Sequence, residues 1–300
     1  MLRHSLRMVA TCLLLLCIVP ASAATKLIEL EISSRIALGD LVIPDGASLA
    51  NGVVVLTHGT LAHKDMELIE ALQNALAERG VVTLAHTLTL GQDKREGMYD
   101  CAQPHVHAHE DAVAEISAWI SWLKQNGAGK VTALGHSRGG NQVAWFVVEK
   151  GGVDKVVLMA PATGTSPQRA AETYKGRFTA DLKPVLDKAV ALVTAGKGGV
   201  LVDVPGFIYC QGGKASANSI VSYYGDEPRR ATQSLVPQIK SPVLVIAGSK
   251  DTVVPNVAEK IGPLADGEEV RLEIIEDAGH MFLDFHAEDA ADLIAQFVKN

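Results

Sequence analysis

The sequence predicts an α/β fold in which a mostly parallel central sheet is flanked by helices and interrupted once by a helical lid insertion. Three observations carry that expectation. Short β-branched runs alternate with amphipathic stretches along most of the 300 residues. The strand-like runs are continuously apolar, as needed where helices cover both faces of a sheet. One of them runs straight into Gly135-His136-Ser137-Arg138-Gly139 and a helical pattern follows, which reads as a strand, a sharp turn and a helix.

The chain opens with Arg3 and Arg7, an apolar run from Cys12 to Val19, then Pro20 and the small residues Ala21, Ser22 and Ala23. That order reads as a secretory signal peptide over residues 1–23 with an Ala-Ser-Ala cleavage site. The apolar run is short of the roughly 20 residues that span a bilayer. The expectation is therefore an exported protein, periplasmic or secreted, with no stable membrane anchor after signal cleavage.

In the domain that follows, residues 24–300, Lys26 to Ile32 and Ile36 to Ile43 are two strand-like runs separated by Ser33-Ser34 and closed by Pro44-Asp45-Gly46. Gly52 to Thr57 contains four successive aliphatic residues and predicts a strand covered on both faces. Asp65 to Arg79 spaces its apolar residues for an amphipathic helix ending at Gly80. The alternation continues with a strand over Val81 to Leu84, a helix over Asp111 to Gln125, a strand over Val131 to Leu134, a helix over Gly140 to Glu149 and a strand over Lys155 to Met159. It resumes with a strand over Val243 to Ala247, a helix over Val254 to Ile261, a strand over Val270 to Ile275 and a helix over Asp284 to Val298. Residues 161–240 lie between the two series, are mostly helical in pattern, and are expected to form a lid or cap.

Ser137 carries the chemistry. A seryl oxygen is a poor nucleophile at neutral pH and needs a base, which in turn needs an orienting acid. Asp251 follows the strand at Val243 in Gly248-Ser249-Lys250-Asp251, and His280 follows the strand at Val270 in Asp277-Ala278-Gly279-His280. Both therefore fall just past strand C-terminal ends, the side on which open α/β sheets bind ligands. The serine's turn requires Gly135 and Gly139, because side chains there would collide with neighbouring elements. Acyl transfer also needs donors for the developing oxyanion. The backbone N–H groups of Arg138 and of Thr60, in His58-Gly59-Thr60, are the candidates, with Gly59 allowing close backbone approach and His58 read as a structural tie.

These segments, His58-Gly59, Gly135 to Gly140, Gly248 to Asp251 with Val254-Pro255, and Gly279-His280, make the chain resemble the α/β-hydrolase superfamily, in particular its esterase-like serine hydrolases. The resemblance implies the α/β-hydrolase fold with eight strands, metal-free hydrolysis through an acyl-enzyme on Ser137, no cofactor, and a small-molecule acyl substrate. A carboxylic ester or thioester is the favoured bond, with an amide or peptide behind it. The competing class is a non-catalytic ligand-binding protein on the same fold.

Other features bound the reading. The formal charge is −7, with no long basic run, so neither nucleic acid nor an anionic membrane is a favoured partner, and a neutral or cationic substrate fits better. Oligomeric state is not legible. Processing leaves Cys101 and Cys210, which an oxidising compartment would pair as a disulfide. In an extended loop His105, His107 and His109 would project to one side, as metal ligands can; a polar loop leading into the next helix is the preferred alternative. His63, His286, Asp277 and Asp284 are weaker candidates for base and acid. Tyr223 and Tyr224 could line an acyl pocket or belong to the core.

Overall fold

The computed structural model describes residues 23–300, so the signal peptide expected over residues 1–23 lies, apart from Ala23, outside the described residues. Strands β1 (Ala23–Ile32) and β2 (Arg35–Pro44) pair antiparallel through a two-residue turn. Both turn residues, Ser33 and Ser34, take positive φ, the geometry whose twist matches that of a hairpin. Then come β3 (Val53–Thr57), α1 (Glu67–Glu78), β4 (Thr83–Thr87), α2 (Asp111–Gln125), β5 (Val131–His136), α3 (Arg138–Lys150) and β6 (Lys155–Met159). After an insertion the chain returns as β11 (Val243–Gly248), α8 (Val257–Ile261), β12 (Val270–Ile275) and α9 (Phe285–Lys299), numbered to leave β7 to β10 and α4 to α7 for the insertion.

The eight strands form one sheet in the order β1-β2-β4-β3-β5-β6-β11-β12. It is parallel from β4 to β12, with β1 and β2 antiparallel at one edge. Every residue of β3 and β5 is buried. One face packs on α2 and α3 through Ile116, Trp119 and Phe146, the other on α1 and α9 through Leu72, Leu76 and Ile294. Among the described residues no helix is long and apolar enough to cross a membrane.

Three boundaries depart from the expected ones for identifiable reasons. The strand expected at Val81 to Leu84 begins at Thr83 and runs through His86 and Thr87, because these polar side chains are satisfied inside: Thr57 Oγ1 lies 2.9 Å from His86 Nε2 and Lys64 N–H donates to Thr87 Oγ1 at 3.1 Å. The helix expected from Gly140 starts at Arg138, directly after the serine. The helix expected from Val254 starts at Val257, since the Val253 and Val254 amides are held by the Asp251 carboxylate instead.

The insertion is less helical than expected. Around α4 (Pro167–Phe178), α5 (Leu182–Thr194), α6 (Ala217–Tyr224) and α7 (Thr232–Leu235), it folds Leu201 to Ser216 into two short antiparallel ribbons, β7 (Leu201–Asp203) with β10 (Lys214–Ser216) and β8 (Gly206–Phe207) with β9 (Cys210–Gln211). The expected Cys101–Cys210 disulfide is present, with Cα atoms 5.3 Å apart, and joins the loop before α2 to β9. A few residues on, the amide of His105 donates to Lys214 O and its carbonyl accepts from Ser216 N–H, extending the β7–β10 ribbon. Gly and Pro punctuation conceals these ribbons from a reading by hydrophobic period.

Candidate active site

Ser137 sits between β5 and α3 with φ 56° and ψ −120°, a strained conformation that costs roughly 1–3 kcal/mol and lifts the hydroxyl clear of the sheet. The turn closes only without side chains at its flanks. A Cβ on Gly135 would lie 2.3 Å from Gly139 O, and one on Gly139 would lie 2.3 Å from His58 O. Gly59 is nearly as constrained, its Cβ position being 3.3 Å from Ser137 Cβ.

The three side chains that the sequence placed on separate loops meet. Ser137 Oγ lies 2.9 Å from His280 Nε2, and His280 Nδ1 lies 2.8 Å from Asp251 Oδ2. The other oxygen, Asp251 Oδ1, accepts the N–H groups of Val253 at 2.7 Å and Val254 at 2.9 Å. Burial alone would raise the Asp251 pKa, but these bonds and His280 outweigh it and hold it below the ordinary value. An ionised Asp251 only accepts, so Nδ1 carries the proton and Nε2 presents a lone pair to the serine hydroxyl.

Among the described residues, the backbone N–H groups of Thr60 and Arg138 donate to no protein acceptor. Arg138 is the first residue of α3, where helical amides lack partners. Its side chain binds Thr60 directly, Nε donating to Thr60 Oγ1 at 3.0 Å. Beneath this loop His58 is fully buried: Nδ1 donates to Gly59 O at 2.8 Å, while Nε2 accepts the Leu88 amide at 3.0 Å. Its pKa is driven far down by burial first and the Arg95 charge second, so it stays neutral as a tie between loops.

His136 is a positioning residue that the sequence did not single out. Its Nε2 donates to His280 O at 2.9 Å, and the two rings are 4.8 Å apart. Burial and the nearby His280 push its pKa to about 4. Only its place beside the serine hinted at a role.

The other candidates do not join the site. Asp277 is exposed and paired with Lys250 at 2.6 Å, and Asp284 is exposed at the start of α9. His63 lies near Asp65, and His286 bonds its own turn at Leu283 O.

His105, His107 and His109 lie on the loop that leads into α2 and are buried there. His105 Nδ1 lies 3.2 Å from His107 Nε2, and His107 Nδ1 lies 2.8 Å from Tyr223 OH. His109 turns away: Nδ1 accepts from Arg138 at 3.2 Å and Nε2 donates to Asn141 Oδ1 at 2.8 Å. Among the described residues no group of three His, Cys, Asp or Glu is placed to hold a metal ion.

A cavity of about 1020 Å³ lies between this floor and the insertion. Its walls include Arg138, next to Ser137, and Val253 and Val254, next to Asp251, whereas Ser137 and His280 themselves do not line it. Tyr223 and Tyr224 both do, and both are also anchored, Tyr224 OH accepting the Ile208 amide at 2.7 Å.

A hydroxyl, an imidazole and a carboxylate in series above a parallel sheet define a protein of the α/β-hydrolase class. The chain belongs to the alpha/beta hydrolase family, whose model matches residues 54–297. It is similar in fold to Est1E from Butyrivibrio proteoclasticus, at 17% identity and TM-score 0.61 over 91% of this chain and 97% of that one. The ferulic-acid-bound form of Est1E gives 19% and 0.64 over 90% and 97%. The esterase domain of a Rhodothermus marinus protein gives 14% and 0.60 over 92% and 98%. No curated protein matches the chain.

Proposed function

We propose that the protein is a serine hydrolase that cleaves a carboxylic ester or thioester through an acyl-enzyme on Ser137. The observation that carries this is the continuous chain from Ser137 Oγ through His280 to Asp251, with bonds of 2.9 and 2.8 Å. In this mechanism His280 Nε2 takes the seryl proton as Oγ attacks the carbonyl carbon. The N–H groups of Thr60 and Arg138 stabilise the oxyanion, a contribution of about 2.7 to 4 kcal/mol for each donor. His280 then returns the proton to the leaving group, and a water deprotonated by the same ring releases the acid. The esterase domain of the Rhodothermus marinus protein among the similar folds favours an ester over an amide.

The signal peptide over residues 1–23 and export to the periplasm or medium belong to the same proposal, supported by the Cys101–Cys210 disulfide. So does the role of residues 161–240 as a lid over the cavity. A fluorophosphonate probe tests the core of the reading. Wild-type protein is expected to be labelled and Ser137→Ala is not; folded wild-type protein that resists labelling would favour a non-catalytic binding protein.

A further inference from the structure

The cavity beside Ser137 carries a charge opposite to that of the whole chain. Four arginines line it, Arg138, Arg169, Arg177 and Arg230. Among the described residues, the arginines that have a carboxylate within 4.0 Å are Arg79, Arg229 and Arg271, none of which lines the cavity. Three acids share the walls, but Glu227 is held by Arg229 at 2.7 Å and Glu259 by Lys260 at 2.9 Å, which leaves Asp226. In a protein of formal charge −7, four such arginines on the walls of one cavity make a local excess of positive charge.

Two of the four are held in place at the inner end. Arg138 is fixed by Thr60 at 3.0 Å and by His109 at 3.2 Å, and its guanidinium lies 5.1 Å over the Tyr223 ring. Arg230 donates to the carbonyl of that same Tyr223, while its buried Nε meets no protein acceptor. Arg138 acts on Arg230, whose pKa is lowered by burial first and by Arg138 second, outweighing the opposite pull of Glu227, Asp226 and Glu110. Of five N–H donors each, Arg138 uses two and Arg230 one. Like charges held together in a half-buried site oppose folding unless an anion offsets them. Planar forks with free donors match a carboxylate bidentately, and the walls at Tyr174, Phe178 and Ile208 suit the carbon chain bearing it.

We propose that the substrate is an ester whose non-reacting part carries a carboxylate, bound by Arg138 and Arg230 in the cavity beside Ser137. The inference rests on the serine-hydrolase reading for its chemistry and on the cavity for its specificity. It reverses the expectation, drawn from net charge, of a neutral or cationic substrate.

The test compares two 4-nitrophenyl esters of equal acyl length, the glutarate half-ester and the pentanoate, so that general damage to catalysis divides out of their kcat/KM ratio. Wild-type protein favours the half-ester, and added salt shrinks that preference. Arg230→Gln lowers the ratio by about thirtyfold or more, as loss of one partner of a desolvated charge contact does, and Arg230→Lys restores part of it. A second arm, binding of glutarate to Ser137→Ala followed by calorimetry, needs no turnover; binding is expected there and lost in Ser137→Ala with Arg230→Gln. If neither ester is cleaved, fluorophosphonate labelling decides the hydrolase reading and the calorimetry alone decides the anion site. A wild-type ratio at or below one, a ratio indifferent to Arg230→Gln, or no glutarate binding would each overturn the proposal.

Discussion

Replacing Asp251 by asparagine removes a charge while keeping the shape, and so isolates what the carboxylate does. The amide can donate to His280 Nδ1, which would move the ring proton to Nε2 and leave the serine without an acceptor. On the proposed mechanism kcat falls by about 10⁴-fold with KM little changed; steady-state kinetics on a chromogenic ester measure it, and a loss below tenfold would remove Asp251 from the chain of proton control. At this scale the sequence was legible where function is local. Ser137 declares itself by its glycines, and Asp251 and His280 by following strand ends. His136 and the Arg230 of the proposed anion site were not legible, because His136 meets His280 O and Arg230 meets the carbonyl of Tyr223, over whose ring Arg138 lies, in contacts that no spacing announces.

Among the elements, the insertion diverged most from expectation, and the reason lies in long-range pairing. The β7–β10 ribbon gains His105 as a bridge partner from more than a hundred residues away in sequence, and Cys101 is covalently joined to β9 close by. The regular βαβ elements were read to within a few residues because burial enforces a hydrophobic period, whereas β7 and β9 bury only part of their length. The disulfide closes a separation of 109 residues. The chain-entropy account gives such a loop up to about 4 to 5 kcal/mol. Substituting Cys101 and Cys210 together by alanine is therefore expected to lower the urea midpoint substantially with the fold retained by circular dichroism. An unchanged midpoint would show that other contacts already fix this junction.

Over the whole molecule, neutral imidazoles set the response to acid. His58 and His109 are held far below the ordinary 6.5 and His86, His105, His107 and His136 at about 3 to 4, in every case chiefly by burial. The folded protein keeps these rings neutral as pH falls below 6.5, while the unfolded chain takes up their protons. Stability is therefore lost on acidification, by about 1.4 kcal/mol per pH unit for each histidine titrating only in the unfolded chain. Glu115 acts in the opposite sense: burial raises it to about 7, so its contribution is present below 4.5 and lost as pH rises through 7. One such group cannot offset six, and the urea midpoint should drop steeply between pH 6 and pH 4. A flat profile there would mean that the histidines exchange protons with solvent in the native state.

The bond between Cys101 and Cys210 also ties residues 161–240 covalently to the loop before α2. On the proposed reading of residues 161–240 as a lid, this anchorage is a fixed pivot: the segment can swing or shear around it but cannot lift away from it, so any widening of the mouth must grow with distance from β9.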